Sequence, residues 1–180
     1  MIKLRRIQKS DLEIRVKWMN SLVIYRNMHF IPPISLENTQ QWYEKNHDCK
    51  TRIDVVFEEK ETIVAMGGLT NIDFLIRKAE FYIFVNPELL HRGYGKKSTY
   101  LLCKYGFEIL QLHKIFLYTN CDNIRARRTY EAIGFKHEGT MRDEMISGEC
   151  YFDRLYYGLL SNELVNMDGE LLLSGGSPLL

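Results

Sequence analysis

The chain has 180 residues, 46% of them hydrophobic and 26% charged, with 24 Lys and Arg against 23 Asp and Glu. Such a composition excludes disordered and collagen-like classes and fits one domain with one core. A net charge of +1 argues against a broad face for nucleic acid or for an anionic membrane.

The opening MIKLRRIQKSDLE has basic residues without an apolar region behind them, so it does not read as a signal peptide. No stretch approaches the ~18 apolar residues of a bilayer span. Cys49, Cys103, Cys121 and Cys150 are scattered, with no CxxC pair. Reduced thiols in the cytoplasm are therefore expected, and no zinc or other metal site.

Residues 2–7 predict a strand, and Asp11 to about Leu22 a helix with Ser10 as its N-cap. Met28–Pro33 is apolar but carries Pro32-Pro33, which makes it a loop. Ser35 opens a second helix to about Lys45. Ile53–Phe57 and Thr62–Met66 flank a charged turn and predict a hairpin. Lys78–Val85 contains the unbroken apolar run Phe81–Val85, as in a central strand covered on both faces, and Asn86-Pro87 ends it. A glycine-containing loop then leads into a long helix with a stripe of Leu102, Tyr105, Ile109 and Leu112. Ile115–Thr119 reads as a strand, and Asn123–Ile133 as a helix closed by Gly134. Residues 136–146 and 150–159 predict a hairpin around Ser147-Gly148. Residues 1–160 thus read as one domain. Residues 161–180 form a separate tail of net charge −3, against +4 for the body, and SGGSP at 174–178 reads as mobile.

Leu89–Phe107, LLHRGYGKKSTYLLCKYGF, holds Arg92, Lys96, Lys97 and Lys104 and no acid. Gly93 and Gly95 permit tight turns and close approach of a ligand. The first amides of the helix lack intrahelical acceptors, so this turn suits a phosphate or pyrophosphate. Ser98 stands where a dinucleotide GxGxxG would place glycine, and Gly95-Lys96-Lys97-Ser98 does not match a Walker loop. On these residues alone, a plain strand-to-helix turn with a solvated basic face fits equally well. The second segment is NIRARRTYEAIGF, Asn123 to Phe135.

Together the two segments resemble the GCN5-related N-acetyltransferase (GNAT) superfamily. Its acyl-CoA motif Q/R-x-x-G-x-G/A is matched by Arg92 and Gly95, with Lys97 departing from the usual small residue. Its later motif N-x-x-A-x-R-x-Y-E-x-x-G-F is matched from Asn123 to Phe135 without a gap. The resemblance spans about residues 2–160. It implies an α/β (mixed α+β) fold, a mixed central sheet with splayed strands flanked by helices. It also implies acetyl-CoA as co-substrate. Backbone groups near Phe84 and Val85 would bond the pantetheine arm like an added strand. The amides of Arg92, Gly93, Tyr94, Gly95, Lys96 and Lys97 would hold the pyrophosphate, and Asn123 the pantetheine chain. Arg128 would serve the phosphates or pair with a surface acid. Tyr130 would protonate the departing thiolate, the alternative being a core aromatic. Glu80 would act as base directly or through water, the alternatives being a solvent-facing strand end and an ordered water as base.

In this architecture the early helices wall the acceptor cleft, which brings in Trp18, Asn20, Tyr25, Arg26, Met28, Phe30, Trp42, Tyr43 and Glu44. Most of these aromatics are expected in the core, and His29 in a loop. Lys17-Trp18-Met19-Asn20, Trp42-Tyr43, GTMRD at 139–143 and YFDRLYYGLL at 151–160 resemble the branch that acetylates ribosomal-protein N-termini and nucleotide-linked amino sugars. The expectation is direct acetyl transfer to the primary amine of a small molecule, such as an amino sugar, or of a protein N-terminus. A non-catalytic CoA-binding module on the same fold is the alternative. The basic first fifty residues disfavour a polyamine acceptor and suit an anionic one. Neither nucleic acid nor membrane is expected as a partner, and the chain is expected to be a monomer or homodimer.

Overall fold

The computed structural model describes residues 1–28, 30–167 and 172–173. Its elements in chain order are β1 (Lys3–Arg6), α1 (Leu12–Met19), α2 (Leu22–Tyr25), α3 (Leu36–Asn46), β2 (Ile53–Glu59), β3 (Thr62–Asp73) and β4 (Lys78–Val85). There follow α4 (Tyr94–Glu108), β5 (Lys114–Asn120), α5 (Ile124–Glu131), β6 (Lys136–Ser147), β7 (Cys150–Leu160) and β8 (Leu172–Leu173). The strands make one sheet in the order β6-β7-β5-β4-β3-β2-β1-β8. Pairing is antiparallel except for β4 with β5 and β1 with β8. The parallel β4–β5 pair requires a crossover, which α4 supplies. The mixed sheet expected from the sequence is thus present.

Helices cover both faces, so the core has two halves. On one face Phe81, Leu102, Tyr105, Ile115 and Leu117 pack with Ile133 and Phe135 beneath α4 and α5. On the other, Leu12, Trp18, Ile24, Val56, Met66 and Phe84 pack beneath α1–α3. Adjacent strand residues feed opposite halves, as Val55 and Val56 do. The Phe81–Val85 run is covered on both faces in this way. Tyr82, Ile83 and Val85 keep partial exposure because the sheet opens beside them.

Several local expectations need correction. Ser10 is not the cap of the first helix; Asp11 is, and a 3-10 turn at Lys9–Asp11 precedes it. Asp11 is buried, takes two bonds from Arg5 and accepts from the Gln8 amide, which fixes the chain there. The predicted single helix to Leu22 breaks into α1 and α2 at Asn20-Ser21, where Asn20 bridges both backbone groups of Ile34. Ile109 leaves the α4 stripe: the helix ends at Glu108 and Ile109 is 42% exposed, while Leu102, Tyr105 and Leu112 are buried.

Ser35 caps α3 as expected, accepting from the Asn38 amide at 3.1 Å. α5 stops at Glu131, short of the expected Ile133. Gly134 follows with a φ of 117°, and a side chain there would strike the Glu163 carbonyl. Residues 161–167 are held to the body. The Val165 amide bonds the Ile133 carbonyl, Leu164 and Met167 join the core, and Lys136 pairs with Glu163. SGGSP at 174–178 and His29 lie outside the described residues.

Candidate active site

β4 and β5 pair at three positions, Lys78↔Lys114, Ala79↔Ile115 and Glu80↔Phe116, and no further. Both strands continue, β4 to Val85 and β5 to Asn120, so they splay. A cleft of about 590 Å³ fills the gap. Glu80, Phe84, Val85, Gly95, Asn123 and Tyr130 all line it.

The phosphate end is built by the chain leaving β4. Asn86 accepts from the Glu88 amide and starts a 3-10 turn at Pro87–Leu89. Gly93 then takes a φ of 80°, which costs other residues strain, and serves as N-cap of α4. The Lys97 amide bonds the Gly93 carbonyl at 3.2 Å, so it is spent inside the helix and drops out of the expected pyrophosphate cradle. The amides of Tyr94, Gly95 and Lys96 precede any intrahelical acceptor and carry the positive end of the helix dipole. Gly95 sits against Val85, 3.4 Å from where a Cβ would stand, so strand and helix converge at this point.

The side chains of Arg92, Tyr94 and Lys97 do not line the cleft. The Tyr94 hydroxyl donates to Glu59 at 2.8 Å instead. Lys96 and Arg128 line an adjoining groove of about 370 Å³ together with Arg125. Arg125 also reaches His91, Nη2 to Nε2 at 2.8 Å, and both line the main cleft. Arg125 went unread in the sequence, although its spacing from Arg128 already placed the two on one helix face.

Asn123 caps α5, its Oδ1 accepting from the Ala126 amide at 3.3 Å. Tyr130 lies edge-on to Phe81, with centroids 6.2 Å apart, and against Phe135 at 5.7 Å. Burial pushes its phenol well above the ordinary value. It is thus both a core aromatic and a cleft residue.

Glu80 shares the α1–α3 face of β4 with Tyr82 and Phe84, and accepts from the Asn71 side chain at 2.8 Å. Of the early-helix residues, Arg26 and Met28 line the cleft; Trp18, Asn20, Tyr25, Phe30, Trp42, Tyr43 and Glu44 do not. Trp18 is core and Glu44 pairs with Lys9. Tyr118 and Arg154 also line the cleft and were not singled out from the sequence.

A strand pair that opens partway, a phosphate-fitting helix N-terminus beside it and a phenol with a carboxylate in one cleft form the arrangement expected of acyl transfer from CoA. The sequence model of the Acetyltransferase (GNAT) domain matches residues 2–136. The chain belongs to the GNAT acetyltransferase family. It is an acetyl-CoA-dependent N-acetyltransferase.

Among GNAT relatives, a spermidine N(1)-acetyltransferase of Vibrio cholerae is 28% identical over 166 residues, covering 92% of this chain and 96% of that one. A putative ribosomal N-acetyltransferase of Bacillus subtilis is 31% identical over 102 residues, 57% of this chain and 56% of that one. The crystal structure of the Vibrio cholerae spermidine enzyme with CoA and spermine superposes with a TM-score of 0.86 at 26% identity, over 90% of this chain and 96% of that one. Another structure of that enzyme is described as dodecameric, an assembly larger than the monomer or homodimer expected from the sequence here. Among the described residues no helix is long and apolar enough to cross a membrane, and no group of three or more His, Cys, Asp or Glu residues could hold a metal.

Proposed function

We propose that this GNAT enzyme acts in the cytoplasm and moves acetyl directly to the primary amine of a small molecule, in a ternary complex without an acyl-enzyme. The observation that carries this is the placing of Glu80 and Tyr130 in one cleft that also opens onto the N-terminus of α4. Glu80, or a water it holds, takes the proton of the attacking amine. Amides of Tyr94, Gly95 and Lys96 hold the pyrophosphate, and Lys96, Arg125 and Arg128 meet the remaining phosphate charge. Phe84 and Val85 offer backbone groups to the pantetheine, with Asn123 opposite. Tyr130 gives its proton to the departing sulfur, a phenol being protonated at neutral pH. No cysteine lines the cleft among the described residues, which supports direct transfer.

The acceptor is less constrained than the donor. Similarity over nearly the whole chain to spermidine N-acetyltransferases supports a small-molecule amine over a protein N-terminus, and makes a polyamine the second reading. The dodecameric neighbour supports an assembly larger than a dimer, which light scattering reads directly. The deciding experiment is release of free CoA from acetyl-CoA with a panel of amino sugars, nucleotide-linked amino sugars, N-terminal peptides, polyamines and aminoglycosides. Turnover with one class is expected. Acetyl-CoA binding without turnover on any amine would favour the non-catalytic module.

A further inference from the structure

Arg154 stands on β7 opposite Asn120 of β5 and lines the cleft. Its guanidinium carbon lies 4.7 Å from the centre of the Tyr118 ring. Its Nε is buried with no hydrogen-bond partner among the described residues, and so is Oδ1 of Asn120, whose amide nitrogen bonds the Arg26 carbonyl at 3.3 Å. Among the described residues no carboxylate pairs with Arg154 within 4.0 Å. Glu80 and Glu144 reach it only through their fields, and burial pulls the guanidinium below its ordinary value.

Two other largely buried arginines have carboxylate partners. Arg5 is held by Asp11 and Glu58, and Arg52 by Asp54. Buried Arg15, outside the cleft, has no such partner within 4.0 Å among the described residues and lies over the Trp42 ring with its Nη1 unpartnered. Partly desolvating a cation with no carboxylate in contact is costly, so such a residue in a cleft marks a place for a partner from outside. Exposed Arg26 lines the same cleft and adds to the positive potential there. A polycationic acceptor would meet both arginines; of the two acids that line the cleft among the described residues, Glu80 is already bonded to Asn71 and Asp122 stands at the loop after β5.

We infer that the acceptor carries an anionic group, a carboxylate or phosphate, beside its reactive amine, and that Arg154 reads that group. This rests on the N-acetyltransferase reading above. The amine is directed to Glu80 and the anion to the guanidinium fork, which matches two oxygens of a carboxylate or phosphate.

The test compares matched acceptors that differ only in the anionic group: an amino sugar with its phosphate ester, and an amino acid with its amide. Spermidine serves as the polycation. For the wild type, kcat/KM should favour the anionic member by about tenfold to a hundredfold. In Arg154→Met that preference should collapse through KM, with the neutral member little changed, and Arg154→Lys should recover part of it. Spermidine or the neutral member used as well as the anionic one would overturn the inference, and so would a preference that survives in Arg154→Met. Calorimetric binding of the same pairs to the CoA-bound protein separates the two readings. Preferential binding to the wild type upholds the role of Arg154 even if no acetyl is transferred, in which case only the transfer reading fails; equal binding to wild type and Arg154→Met rejects it. Thermal unfolding should show Arg154→Met no less stable than the wild type, since the change removes a half-buried cation with no carboxylate in contact.

Discussion

Glu80 and Phe116 are the last register partners of β4 and β5. The carboxylate proposed to receive an amine proton therefore sits at the fork where the sheet opens. The strands part just C-terminal to it, and the freed β4 edge at Phe84 and Val85 is what an extended ligand needs to bond.

Tyr130→Phe removes the hydroxyl and keeps the ring that packs against Phe81 and Phe135. Loss of a general acid predicts a fall in kcat of about 10² to 10⁴. Acetyl-CoA affinity by calorimetry should stay within about twofold, since binding owes little to one hydroxyl. Unchanged turnover would remove Tyr130 from the mechanism.

Glu80→Gln keeps a side-chain carbonyl to accept from Asn71 and deletes the base. The rate should fall at neutral pH and the pH–rate profile should shift toward alkaline values, because only the amine's own deprotonation then remains. A profile that overlays the wild type would assign proton removal to water alone.

Arg125→Ala should weaken acetyl-CoA binding on the order of fivefold, and Lys96→Ala by a similar factor, as expected for exposed cations proposed to meet phosphates. Isothermal titration at low and high salt checks this. The difference from the wild type should shrink as salt screens the charge. Equal affinities at low salt would exclude these side chains from the phosphate groove.

Glu163 is held below the usual carboxylate range by its bond from Lys136, assisted by the Leu160 amide. A carboxylate depressed in the fold stabilises above its unfolded value, near ~4.3, and loses that contribution as pH falls through the folded value. Glu163→Gln should therefore cost about 1 kcal/mol or less at neutral pH. Denaturant curves should show this gap constant above about pH 5 and closing in acid. A gap that persists unchanged in acid would show that charge at Glu163 plays no part.

Much of the fold was legible because its signals are local. The hairpin at Glu58–Glu61, the Ser35 cap and β4 at Lys78–Val85 follow from turn chemistry, a capping hydroxyl and a dense apolar run. The phosphate end was legible for the same reason, since a helix N-terminus and its glycines lie together in the chain. Ser10 failed as a cap because Arg5 holds Asp11 from the neighbouring strand. Ile109 failed because periodicity does not mark where a helix loses its backbone bonds.

Sequence alone pointed to the donor, acetyl-CoA, through the resemblance its two motifs carry. The glycine turn, the positive segment after it and the Asn123–Phe135 motif are contiguous, and contiguity brings their groups together whatever the rest of the chain does. Only the tertiary structure brings together the residues proposed for the acceptor side. Glu80, Arg26, Tyr118 and Arg154 come from four separated segments and meet because strand alternation sends Glu80 to one face of a sheet that forks beside it. Whether a basic residue is solvated, paired or left uncompensated in a cleft depends on what packs beside it, and no spacing in the sequence encodes that for Arg154.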